Sequence, residues 1–162
     1  MNDVTISAER QILNLVHRYA ECVDDGDFDG VSALFEHGEF HIAGAPGRRG
    51  AAVGDVMRTK VATHDGSPRT KHVTTNAIIE IDRSEAVSPD TATDTVTATA
   101  TATCRSYFTV LQATPTLTLQ PIITGRYHDR FECVDGRWRF VDRAIIIEQT
   151  GDLSQHLSPG SL

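Results

Sequence analysis

No stretch of the 162 residues is apolar for long enough to cross a bilayer. The opening MNDVTISAERQILNLVHRYA has neither the basic start nor the apolar centre of a secretory signal. These absences predict no membrane contact and a cytoplasmic location. Cysteine is scarce: Cys22, Cys104 and Cys133 are odd in number, far apart and without zinc-type spacing, so reduced, half-buried thiols are expected. Positive charge is also short, with 15 Lys and Arg against 22 Asp and Glu, a net charge of −7, and no basic run longer than Arg48-Arg49. Such a surface repels a polyanion, which excludes nucleic acid as the expected partner. Apart from His72 and His128, which are taken up below, the histidines show no ligand spacing, and GAPGRRG lacks the Lys-Ser/Thr of a phosphate loop, so neither a metal nor a nucleotide is expected.

What is present suits one globular core: 40% of residues are apolar and 23% charged, which places the chain outside the disordered range. A single domain over residues 1–150 with a C-terminal tail, 151–162, is expected. Ile12, Leu15, Val16, Tyr19 and Val23 recur at helical spacing between Ser7 and a stop at Gly26. Asp27 reads as the N-cap of a short second helix, residues 38–43 as a brief strand, and 51–63 as weakly helical. From Thr70 onward β-branched residues alternate, predicting strands near 70–82, 92–112, 116–133 and 137–148.

Two strand details bear on function. Asp135-Gly136 predicts a two-residue hairpin in which paired residue numbers sum to 271. That register puts Tyr127, Asp129, Phe131 and Cys133 on one face with Trp138, Phe140, Ala144 and Ile146; Arg143 and Ile145 fall on the other, with Arg143 opposite His128. The run TATDTVTATATATC alternates Thr with small residues from Thr91 to Cys104, predicting a strand whose small face borders a close packing contact or an open cavity. Helices first and long antiparallel strands afterwards predict an α+β domain with helices over one face of a curved sheet.

The order of elements and the phrases RYAECVDDGDFDGVSALF, TKHVTTN, RSYFTV, YHDRFECVDGRWRFVDR and GDLSQHL resemble the SnoaL-like branch of the nuclear transport factor 2-like superfamily over nearly the whole chain. The resemblance implies a cone-shaped, strongly curved mixed or antiparallel sheet closed by N-terminal helices around an apolar pocket, in a homodimer or higher homo-oligomer. It also implies a range of activities, among them polyketide cyclases, ketosteroid isomerases, scytalone and bile-acid dehydratases, and members without known chemistry.

Asp24 lies at the edge of the helical apolar stripe while Asp25 falls on the polar side. At a helix C-terminus, with partial burial, its carboxyl is expected to favour the protonated form and so to be a basic, proton-accepting group. Alternatively Asp24, Asp25 and Asp27 form only a polar turn. The Tyr19 to Asp24 spacing is similar to the pocket tyrosine and aspartate of family dehydratases, and His72 matches the strand histidine that works with that aspartate. Alternation places His72, Thr74, Asn76 and Ile78 on one face and Val73, Ala77, Ile79 and Ile81 on the other. That face is either a polar pocket wall or solvent. The resemblance makes Asp24 and His72 the catalytic pair and Tyr19 and Arg143 substrate contacts; Asn76, further along the His72 face, and Tyr127, on the aromatic face of the hairpin, are added as substrate contacts by strand alternation. The predicted register resists the role of Arg143, leaving a bulge, a different pocket wall or a surface position open. Some family dehydratases carry a further acid or histidine where this chain offers only Thr97, Thr99 or Thr101.

The expected function is a cofactor-independent dehydratase or isomerase for a small hydrophobic cyclic molecule, polyketide- or steroid-like. A non-catalytic ligand-binding or assembly module of the same fold is the rival, and it predicts that Asp24 and His72 do not converge.

Overall fold

Ser7 begins the first helix because its hydroxyl accepts from the Arg10 N–H (3.3 Å), satisfying one of the free donors of the first turn. In the computed structural model, which describes residues 6–42, 44–82 and 100–159, this helix is α1 (Ala8–Asp25). It ends in a left-handed residue, Gly26 (φ 75°), with Gly26 N–H on Val23 O (3.1 Å) and Asp27 N–H on Cys22 O (2.8 Å). A side chain at Gly26 would come within 2.8 Å of the Gly66 carbonyl, so the glycine lets the helix end dock on the loop that leads into the next strand region. Asp27 caps α2 (Phe28–Leu34) through the Gly30 N–H at 2.8 Å.

The chain continues through β1 (Glu39–Ile42), α3 (Ala51–Lys60), β2 (Thr70–Asp82), β3 (Ala100–Thr114), β4 (Leu117–Val134) and β5 (Arg137–Thr150). The strands form one mixed, curved and unclosed sheet in the order β1-β5-β4-β3-β2, with β1 parallel to β5 and the other pairs antiparallel. The inner face packs on the helices: Ile12, Val16, Tyr19 and Val23 of α1 and Phe28 and Val31 of α2 meet Phe40, Cys104, Phe108, Tyr127, Phe131 and Phe140. Each such side chain, fully buried, contributes roughly 1.5–3 kcal/mol, which outweighs any single hydrogen bond in holding helices to sheet. All three cysteines are free and buried rather than half-buried, and burial pushes the Cys104 thiol up to about 11.

Two bulges change the expected faces. The hairpin turn has Asp135 and Gly136 at φ 51° and 75°, and the 271 register holds from Val134–Arg137 to Phe131–Phe140. It then shifts, so that Arg130 pairs with Asp142 and Asp129 with Arg143. Arg143 and Ile145 thereby turn inward with Tyr127, and Ala144 and Ile146, expected inside, turn outward. Without the shift Asp129 would be buried on the inner face with no counter-charge, a costly arrangement. In β2 a second irregularity between Thr75 and Ile78, with Asn76 at φ 55°, puts Ile79 and Ile81 on the same inner face as His72 and Thr74 and leaves Val73 and Ile78 outside.

Residues 91–99 of the threonine run lie outside the described residues, Thr97 and Thr99 among them. In its described end the small residues Ala100, Ala102 and Cys104 point inward into the packed core, and Thr101 and Thr103 point outward. Among the described residues no helix is long and apolar enough to cross a membrane.

Candidate functional site

The docking of the α1 end on the 64–69 loop brings Asp24 against the start of β2. Ser67 Oγ donates to the Asp24 carbonyl (3.1 Å), and the Asp24 carboxylate accepts three bonds: Thr70 Oγ1 (2.7 Å) and His72 Nδ1 (2.6 Å) on Oδ1, and the His72 N–H (2.8 Å) on Oδ2. The side chains of Asp24 and His72 are each 8% exposed. Burial alone would raise the Asp24 carboxyl, but the bonds and charge of the His72 ring, the His72 N–H and the Thr70 hydroxyl outweigh it and hold Asp24 below the ordinary carboxylate range. The expectation that Asp24 favours its protonated form is therefore corrected: it stays ionised. An ionised acceptor on Nδ1 fixes the proton there and leaves the Nε2 lone pair of His72 as the basic atom.

His72 lines a cavity of about 180 Å³ with Tyr19, Val23, Met57, Phe108, Val110 and Tyr127. Tyr19 meets His72 edge-on at 6.4 Å and Tyr127 at 5.9 Å, while Phe108 stacks flat on Tyr127 at 4.4 Å. Burial raises both phenols above their ordinary value, so Tyr19 and Tyr127 are neutral hydroxyls at the cavity wall. The small-residue end of β3 does not line this cavity, which sits further along the strand, at Phe108 and Val110.

Arg143 is wholly buried and clamps Asp129 with two bonds, Nε to Oδ1 (2.8 Å) and Nη2 to Oδ2 (2.7 Å). Its guanidinium lies 4.4 Å from the Tyr19 ring centre and 4.2 Å from that of Tyr127. Burial opposes its charge, and the Asp129 partner more than restores it. Arg143 thus sits behind the two tyrosines rather than on the cavity surface, and its contact with the cavity is indirect. Asn76 is not brought to this site: it lies exposed in the β2 bulge beside Tyr107, Arg126 and His128 on the outer side of the sheet.

One cavity residue escaped the sequence reading. His156, in the C-terminal residues 151–162, lines the same cavity, and burial together with the neighbouring His72 pulls its pKa down to about 4. No periodic pattern surrounds it; only its place in GDLSQHL could have marked it.

At the far edge of the sheet Glu39, His41 and Asp142 place potential metal-ligating atoms within 4.8 Å of one another. His41 Nε2 is 3.2 Å from each carboxylate, while Arg49 binds Glu39 (3.0 Å) and Arg130 lies 3.5 Å from Asp142. Two arginines already balance the two carboxylates, so the cluster is complete as a set of ion pairs.

The sequence profile of the SnoaL-like domain matches residues 4–144. No curated protein matches significantly. A protein of unknown function from Mycobacterium tuberculosis superposes with a TM-score of 0.61 at 26% identity, over 86% of this chain and 70% of that one. A nuclear transport factor 2-like protein with a cystatin-like fold from Novosphingobium aromaticivorans gives 0.62 at 21% identity, over 91% and 85% of the two chains. A protein from the same organism, provisionally named a scytalone dehydratase, gives 0.60 at 23% identity, over 89% and 86%. The last two establish a shared fold only. With the profile running through both helix and strand residues of the cavity, this chain belongs to the SnoaL-like domain family.

Proposed function

We propose that the chain is a cofactor-independent lyase or isomerase, dehydratase-like, acting on a hydrophobic cyclic, polyketide- or steroid-like substrate by acid-base catalysis. The observation that carries this reading is the 2.6 Å contact between Asp24 and His72 at the wall of an apolar cavity. The rival of a pocket module whose Asp and His stay apart is disfavoured by the same contact. In the reaction, His72 Nε2 takes a proton from carbon next to a substrate carbonyl, and Asp24 offsets the charge of the imidazolium. The phenols of Tyr19 and Tyr127 hydrogen-bond the enolate oxygen that forms. The imidazolium then returns its proton to a departing hydroxyl, releasing water, or to a more distant carbon, moving the double bond.

The cavity volume of about 180 Å³ is below the roughly 300–1,000 Å³ of sites for drug-sized ligands, which favours a one- or two-ring substrate over a four-ring one. We further propose a homodimer formed through the outer face of the sheet, where Ile78 is 55% and Tyr107 47% exposed.

Native mass spectrometry of the purified protein, followed by turnover of any retained compound, tests the reading. His72→Ala is expected to abolish turnover and Asp24→Asn to lower it steeply, with the fold intact. Full activity in both variants would sink it.

A further inference from the structure

Thr70 is 1% exposed, and its hydroxyl donates to Asp24 Oδ1 at 2.7 Å. An ionised carboxylate only accepts, so the proton of this bond belongs to the threonine. Among the described residues the other donors to this carboxylate both belong to His72, the backbone N–H on Oδ2 and the ring Nδ1 on Oδ1. A carboxylate anchored at Oδ2 can still rotate about that bond, and a side-chain ring that moves on its own torsions cannot stop it. A fixed donor at Oδ1 removes the rotation and leaves that oxygen where Nδ1 meets it. The turn into β2 supplies such a donor. Arg69 is left-handed (φ 57°), a strained setting for a residue with a side chain, and is held there by its N–H on Ser67 Oγ (3.1 Å) and its Nε on the His64 carbonyl (3.3 Å). Ser67 Oγ donates to the Asp24 carbonyl (3.1 Å), and the buried Gln112 amide of β3 donates to the Pro68 carbonyl (2.9 Å). Residues 67–69 are thus tied to α1 and β3 before Thr70 pairs with Gln112 and opens β2. Alternation then sends Thr70 and His72 to the same face, and branching at Cβ leaves the hydroxyl few rotamers.

We propose that Thr70 is a positioning residue for the Asp24–His72 pair: its hydroxyl sets the plane of the Asp24 carboxylate so that Oδ1 keeps a proton on His72 Nδ1 and leaves Nε2 bare. This deepens the reading of His72 Nε2 as the base and rests on it. Thr70 is not among the residues lining the cavity, so it acts through Asp24 rather than on a ligand. Burial raises the Asp24 carboxyl, and the Thr70 bond joins the His72 contacts in lowering it, so the same hydroxyl also helps keep the acceptor ionised. Around the pair stand the neutral phenols of Tyr19 on α1 and Tyr127 on β4, and His156 beside His72. Arg143 of β5 lies behind the tyrosines with its charge taken up by Asp129.

The test is nuclear magnetic resonance of the free protein with labelled histidine rings and aspartate carboxyls. Thr70→Val keeps the shape of the side chain and removes the hydroxyl, and Thr70→Ser keeps the hydroxyl. In the wild type the Thr70 hydroxyl proton is expected to exchange slowly and to lie close to the His72 Nδ1 proton, and the neutral ring to carry its proton on Nδ1. In Thr70→Val the tautomer with the proton on Nε2 is expected to appear beside the first, and the Asp24 carboxyl to titrate at higher pH than in the wild type. Thr70→Ser is expected to restore both. A wild-type hydroxyl proton in fast exchange, or a neutral wild-type ring protonated on Nε2, overturns the proposal, and neither measurement needs a variant that folds. A Thr70→Val protein whose tautomer and Asp24 titration match the wild type also overturns it, as does a Thr70→Ser protein that behaves like Thr70→Val. Turnover is not read in any of these, so the function proposed for His72 and the role of Thr70 fail independently.

Discussion

Asp24 is ionised where its position alone argued for protonation, and the balance of contacts explains why. A helix C-terminus and burial push its pKa up, but three hydrogen bonds from Thr70 and His72 push harder in the other direction. Replacing it by Asn leaves one oxygen for three donors and lets the amide favour the opposite His72 tautomer, so kcat is expected to fall about 10²- to 10⁴-fold with little change in KM, read by steady-state kinetics. The two titrating groups also separate by pH. Asp24, lowered in the fold, contributes stability that is complete above the unfolded value of about 3.9 and is lost as pH falls through its lower folded value. His156, about 4 when folded against about 6.5 unfolded, makes the unfolded chain bind the proton first, so stability declines from pH 6.5 toward 4 by about 3 kcal/mol. Urea denaturation at pH 7, 4 and 3 is expected to show the first decline reduced in His156→Leu and the second reduced in Asp24→Asn. Arg143→Met, which strands the buried Asp129, is expected to cost about 3–5 kcal/mol by the same method, and Asp129→Asn added to it to recover part of the loss.

At the scale of elements, caps and turns carried their own chemistry and were legible. Ser7, Gly26, Asp27 and Asp135-Gly136 begin or end their elements where their residue types dictate. The bulges were not legible. Beyond Phe131–Phe140 the β4–β5 register is decided by Asp129 needing Arg143, a condition that exists only once both lie on a buried face. The β2 bulge similarly reconciles an inward His72 with inward Ile79 and Ile81, which uninterrupted alternation cannot do. Asn76 tolerates its left-handed backbone there. Asn76→Gly is expected to be neutral or slightly stabilising and Asn76→Val to cost about 1–2 kcal/mol, measured by thermal or urea unfolding, with the cavity unchanged.

At the scale of the whole molecule, the helices cover the inner face of the sheet, and the outer face of β2 to β5 keeps Val73, Ile78, Tyr107 and Ile146 beside Arg105 and Arg126. If a second copy covers that face, Ile78→Asp combined with Tyr107→Asp is expected to shift a dimer to monomer in sedimentation velocity without moving the helical signal; an unchanged sedimentation coefficient rejects the interface. The sequence by itself determined the element order and the α+β class, because helical and strand periodicities and caps are local properties of the chain; the same patterns marked Asp24 and Tyr127, while Tyr19 and His72 were marked by the family resemblance. Only the tertiary structure decided that Asp24 stays ionised, that Arg143 turns inward behind the tyrosines, that Asn76 stands outside, and that His156 belongs to the cavity. Each of those depends on burial or on neighbours far along the chain, from Asp129 beside Arg143 to Tyr19 across the cavity from His156, and no local pattern encodes the field in which a side chain will finally sit.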